Sequence, residues 1–116
     1  MTSVEECAAA IGRLNERIRE TDEADRRKHI VPRTVSVTVT DLDTVFDLRL
    51  TTEGLSDVRP RSASEDAPRA QVTVRIGADD LVAIADDRLN PATAMLTGRV
   101  KVEASFGDLL RLRKLM

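Results

Sequence analysis

The chain has no tryptophan and no tyrosine, and Phe46 and Phe106 are its only aromatic residues. Single-stranded nucleic acid is usually held on aromatic stacking platforms, so that function class finds no support. Charge of one sign is also missing: 18 basic residues stand against 20 acidic ones, for a net charge of −2. A nucleic-acid binder normally carries a basic surface, and no such partner is expected. Cys7 is the only cysteine, so no intrachain disulfide can form and secretion gains no support. No run of about 18 apolar residues occurs, and no basic-then-apolar leader precedes the first element. Stable membrane insertion is therefore not expected, and the compartment read from these features is the cytoplasm. The last residues, Lys114-Leu115-Met116, are not the Ser-Lys-Leu peroxisomal address.

The catalytic inventory is equally thin. There is no G-x-S-x-G, H-E-x-x-H or C-x-x-C motif and no phosphate-cradling glycine loop. His29 is the only histidine and, without a second histidine, a cysteine pair or a carboxylate cluster, it is a weak ligand or base candidate. Asp41 and Asp43 invite a metal reading, but two carboxylates without further oxygen ligands make a poor site. No metal and no cofactor are expected. Asp47 is the one strand carboxylate worth following as a buried base, against the plainer reading of an exposed residue on a polar face.

What is present is the material of one two-layer domain. The chain has 116 residues, 41% of them hydrophobic, which suits a single core over 1–116. Residues 1–22 read as a helix, with Ser3 and Glu6 at capping-box spacing and Val4, Cys7, Ala8, Ile11, Leu14 and Ile18 on one face. Residues 22–33 read as a charged, solvated connector. A three-strand meander follows over 34–59. Its first strand, Thr34 to Thr40, alternates strictly, with Val35, Val37 and Val39 inward. Residues 60–69, with proline at both ends of PRSASEDAP, read as a surface loop. A fourth strand spans 70–76, with Val72, Val74 and Ile76 inward.

The last third orders these parts. Two short helices lie over 79–97, the first opened by Asp79 and Asp80 and carrying Leu81, Ile84, Ala85 and Leu89 at helical spacing. The second begins at the Asn90 cap with Pro91 in its first turn, and Gly98 is placed to close it in the left-handed region. A strand over 99–104 and a terminal helix over 107–116 complete the order. This succession resembles the sterol carrier protein 2 (SCP2) family of sterol- and lipid-binding domains. Asp80, Leu81, Ile84, Asn90, Pro91, Ala94, Gly98, Val100 and Val102 carry the likeness, which is clearest from Val72 onward. The resemblance implies an α+β fold: a two-layer, roughly five-stranded, antiparallel-rich sheet covered on one face by helices. It also implies an apolar cavity between the layers and non-enzymatic lipid binding or transfer.

In the terminal helix Leu109, Leu110, Leu112, Leu115 and Met116 cover more than half the circumference. Three readings compete: a helix wedged in the core, a wall or lid of a ligand cavity, or a subunit contact such as a homodimer. The expected function is binding or carriage of a hydrophobic small molecule. The candidate walls are Phe46, Val74, Ile84, Met95, Leu96, Leu109 and Leu112. The alternative is a small enzyme or biosynthetic accessory protein of the same fold, acting on an apolar metabolite.

Overall fold

The computed structural model describes residues 2–115, with side chains described for residues 2–111. The elements run α1 (Val4–Glu20), α2 (Glu23–His29), β1 (Arg33–Val39), β2 (Thr44–Thr51), β3 (Gly54–Ser62) and β4 (Val72–Ile76). They continue with α3 (Ala78–Ala85), α4 (Pro91–Leu96), β5 (Val100–Glu103) and α5 (Phe106–Leu115). The five strands form one sheet in the order β3-β2-β1-β4-β5. The fold is the expected α+β two-layer arrangement, and the sheet is mixed. Three pairings are antiparallel, while β1 and β4 run parallel, with Val35 beside Val72 and Val39 beside Ile76.

Ser3 caps α1 as the sequence spacing implies: the Glu6 N–H donates to Ser3 Oγ at 3.1 Å, and the Ser3 N–H reaches back to Glu6 Oε1. The buried stripe of α1 is Cys7, Ala10 and Ile11, with Leu14 half-buried. Ala10 thus takes the core position and Ala8 is exposed, because positions 7, 10, 11 and 14 are the ones that line up at helical period. Helix α1 lies across α3 and the edge strand β3. Gly54, at φ +118, opens β3 where a Cβ would run into the side chain of Asn15. The Leu55 N–H then donates to Asn15 Oδ1 at 2.8 Å, so the close approach is also a hydrogen bond.

Three departures from the sequence reading have physical causes. The charged connector contains a helix, α2, started by Asp22 accepting from the Ala24 N–H and supported by an Arg27–Glu23 pair one turn apart. Strand β3 runs on to Ser62, through Pro60. As an edge strand it tolerates a residue with no N–H, and a bulge at Asp57 and Val58, opposite Leu48, bends it. Helix α3 stops at Ala85 and does not reach Leu89. The guanidinium of Arg17 donates to the carbonyls of Ile84 (2.9 Å) and Ala85 (3.4 Å), which a further turn would have used, and Asp87 turns left-handed at φ 59.

The core lies between the helices and one face of the sheet. Val37, Val39, Phe46, Leu48, Ile76 and Val100 supply the sheet side. Cys7, Ala10, Ile11, Leu81, Ile84, Ala85 and Ala94 supply the helix side. Asp41, in the β1–β2 turn, accepts the Ala78 N–H at 2.9 Å and so caps α3 from outside, which gives this carboxylate a structural task.

Candidate functional site

Burial on the helix-covered face of the sheet is graded from one end to the other. At the end near α3 and α4, Val39, Ile76 and Val100 are fully covered. At the opposite end Val35, Leu50, Val72, Val74 and Val102, which share that face through their pairing register, are only half-buried. Of these, Val35, Val74 and Val102 pack directly against the core. The sheet therefore presents a strip of β-branched aliphatic side chains that the helices cover incompletely.

Among the described residues, one ion pair ties helix α5 to that end of the sheet. Arg33 Nε, at the start of β1, donates to both carboxylate oxygens of Asp108 at 3.0 Å. The two side chains are 24% and 10% exposed, so the pair is largely shielded from water. The Arg33 hydrogen bond is the main reason that the Asp108 carboxyl lies below the usual carboxylate range. Ser105 and Arg111 reinforce the effect, and burial opposes it. Helix α2 also touches α5.

The predicted wall residues divide into distinct environments. Phe46 and Ile84 belong to the closed core, at 0% and 9% exposure. Val74 and Met95 are half-buried and packed on that core. Leu109 is half-buried, next to Asp108. The side chain of Leu112 lies outside the described residues. Leu96 points into solvent at 89% exposure, so in this conformation it walls nothing. Its neighbour Ala94 takes the buried position of α4, and a six-residue helix has room for only one such face. Phe106 and Leu110, on α5, are exposed as well.

A groove of about 380 Å³ runs beside the β4–β5 edge, lined by Gln71, Thr73, Val102, Glu103 and Ser105 among others. It meets the aliphatic strip only at Val102. The sequence reading missed this groove and the Arg33–Asp108 tie. No signal within either local stretch joins residues 75 positions apart.

Asp47 lies on the other face of the sheet. It accepts from Ser36 Oγ at 2.7 Å and from Arg61 Nε at 2.6 Å. Burial by itself would raise its pKa, but the Arg61 and Ser36 hydrogen bonds outweigh it and hold the carboxyl below its ordinary value. A carboxylate stabilised in this way is a poor proton acceptor. Cys7 is fully buried, and its thiol is pushed up by burial first and then by the carboxylates of Asp41, Glu6 and Asp79. It behaves as a small core hydrophobe. Among the described residues, no cluster of three metal-ligating side chains occurs. No described helix is long and apolar enough to cross a membrane.

The family model of the SCP-2 sterol transfer family matches residues 11–116. The chain belongs to this family. Among solved structures, the fold is similar to the palmitated SCP2L2 of Aedes aegypti at 17% identity, covering 99% of this chain and 94% of that one, with a TM-score of 0.59. It is similar to the ubiquinone synthesis protein UbiJ-SCP2 at 20% identity, covering 91% and 88%, with a TM-score of 0.62. A stretch of the stereoselective inverting sec-alkylsulfatase Pisa1 from a Pseudomonas species is 28% identical, with a TM-score of 0.54. That match covers 76% of this chain and only 13% of the sulfatase. No curated protein matches significantly.

Proposed function

We propose that this SCP2-family chain binds and carries a hydrophobic small molecule, lipid- or sterol-like, on the helix-covered face of its sheet. The observation that carries the reading is the half-covered strip Val35, Val72, Val74 and Val102, at the end of the sheet where the Arg33–Asp108 pair ties the terminal helix to β1. An acyl chain or ring system laid on this strip is removed from water together with the valines, at ~25 cal/mol per Å² of apolar area. The α5 segment moves to admit it, and Met95 and Leu109 supply adaptable apolar contacts beside the strip. The palmitated state of the Aedes relative supports an acyl ligand.

The test is titration with a fluorescent fatty acid and a fluorescent sterol, on the wild type and on Val74→Asn. A polar amide in the strip should weaken probe binding at least several-fold. Leu81→Ala, in the closed core, should cost ~2–5 kcal/mol of stability and leave the affinity of the folded fraction near wild type. A wild type that binds neither probe would sink the reading.

A second reading keeps the same site and changes its use: an accessory domain that presents an apolar metabolite to an enzyme. The likeness to a ubiquinone synthesis protein and to a segment of a sec-alkylsulfatase favours it. It predicts that added chain changes the turnover of a partner enzyme, while the carrier reading predicts transfer of the probe between vesicles.

A further inference from the structure

The face of the sheet that no helix covers is built from polar and basic side chains. Through the pairing registers it carries Thr34, Ser36 and Thr38 of β1, Asp47 and Arg49 of β2, Arg59 and Arg61 of β3, Arg75 of β4, and Lys101 and Glu103 of β5. Arg61 is neutralised by Asp47. Arg49, Arg59, Arg75 and Lys101 are exposed and make no ion pair among the described residues, and besides Asp47 the pairing registers place one acid, Glu103, on this face. This excess of cations sits on a chain whose net charge is −2, so the rest of the surface is more acidic than the total suggests. The two faces of the molecule are electrostatically different.

One detail makes the basic face more than an accident of composition. Arg75 and Lys101 are direct cross-strand partners in the antiparallel β4–β5 pair. Like charges in that position repel and destabilise the sheet. An anion placed over both removes the repulsion. The same cross-strand row continues through Thr38 and Val45 to Arg61, so it spans the sheet from edge to edge. At four strand spacings that is roughly 19 Å.

We infer that the helix-free face of the sheet, centred on Arg75 and Lys101, docks the protein reversibly on an anionic phospholipid bilayer. Cations on four of the five strands, with only polar residues of β1 between them, suit an extended anionic surface better than a single carboxylate or phosphate. The threonines between the cations donate to headgroup oxygens, and arginine binds phosphodiesters in a bidentate manner. Among the described residues, the exposed large apolar side chains are Leu96, Phe106 and Leu110, on α4 and α5, and Val58, in the β3 bulge opposite Leu48. The paired side chains of this face are polar or charged apart from the buried Val45, so it holds the surface by charge without inserting into it. A second copy of the chain is a poorer occupant. Of the acids it would offer from its helix side, Asp86 and Asp87 are already committed to Arg13 and Arg17 at 3.0 and 2.9 Å. The choice of a bilayer rests in part on the carrier reading, since an apolar cargo is collected and delivered at a lipid phase.

The experiment is vesicle flotation of the whole chain without added cargo. It compares phosphatidylcholine vesicles with vesicles in which about a third of the lipid is phosphatidylglycerol, at low and high salt. Wild type is expected to float with the anionic vesicles at low salt, to be released by high salt, and to ignore the neutral ones. Removing each cation should weaken binding roughly fivefold, so Arg75→Gln with Lys101→Gln should weaken it about 25-fold. Arg19→Gln with Lys28→Gln, the same charge change on the helix side, should leave binding within about twofold. Urea midpoints confirm that both variants are folded.

The inference is overturned if wild type ignores anionic vesicles, if both double variants weaken equally, or if duplex DNA binds more tightly than the vesicles. Salt-dependent self-association that Arg75→Gln with Lys101→Gln abolishes, without vesicle binding, would assign the face to a second copy instead. Binding of the apolar probe in solution should be unchanged in Arg75→Gln with Lys101→Gln. If wild type floats with vesicles but takes no probe, the carrier reading fails and the docking surface stands.

Discussion

Arg33 and Asp108 meet with one guanidinium nitrogen equidistant, at 3.0 Å, from both oxygens of the carboxylate. The contact joins the first residue of β1 to the first turn of α5. Deleting the acid leaves a shielded cation without its partner, so Asp108→Ala should destabilise the docking of α5 by about 1–3 kcal/mol. Hydrogen exchange is the direct readout. Amides of α5 should lose protection while those of β1 and β2 keep theirs, and equal loss everywhere would show that α5 is part of the global unfolding unit.

The same pair gives a pH dependence with a definite sign. The folded-state pKa of Asp108 lies below its unfolded value, chiefly through the Arg33 hydrogen bond. Its contribution is therefore fully present above the ordinary carboxylate range and is lost as pH falls through the depressed folded value. Lowering pH from neutral to that range should leave α5 protected in exchange experiments, with release only below it. Asp108→Asn should remove this acid step from the α5 amides. An unchanged step in the variant would assign it to another carboxylate, with Asp47, also depressed, the first to examine.

Gly98 follows α4 at φ +77, and a Cβ built there would meet nothing within 4 Å. The cost of a side chain is therefore conformational and not steric crowding by neighbours. Gly98→Asn should be mild, whereas Gly98→Val should cost ~1–2 kcal/mol or more, because β-branching resists the left-handed region. Urea midpoints of the two variants should fall in that order, and equal midpoints would contradict the assigned conformation.

Leu96 offers the opposite expectation. At 89% exposure, Leu96→Lys should change stability by less than about 0.5 kcal/mol. A loss of 2 kcal/mol or more, on the order expected for a core leucine, would mean that the side chain is buried in solution.

Cys7 provides a probe of the core itself. Fully buried, and with its thiol pushed up by burial and the neighbouring acids, it should react slowly with a thiol reagent in the native state and quickly in urea. Prompt native-state reaction would show that α1 lifts from the sheet.

The sequence carried much of this architecture where signals are local. The Asn90-Pro91 start and Gly98 end of α4 are written in adjacent residues, and each does the physical task its chemistry suggests. The alternation of Val35, Val37 and Val39 placed the core face of β1 correctly. Helix α2 was hidden because EADRRKH has no apolar stripe, and its stability comes from a cap and an ion pair. The parallel β1–β4 pair was hidden because alternation reports which face a residue takes, not which way its neighbour strand runs. Core and site residues were indistinguishable for the same reason. Phe46, Val74 and Leu96 are all apolar in the sequence, yet one is sealed in, one half-covered and one in solvent.

The parallel pairing of β1 with β4 also governs how the chain can reach its native state. Val35 pairs with Val72, and no hairpin can join strands that run the same way. The β1-β2-β3 meander closes through short turns and is cheap to form early. Adding β4 requires ordering a loop that spans the whole meander, and that entropy must be met before the new contacts repay it. Until β4 arrives, one flank of β1 is an unpaired strand edge bearing three valines. The kinetic hazard of this small domain is therefore the central strand of its finished sheet, which spends the slow phase of folding as an edge open to other chains.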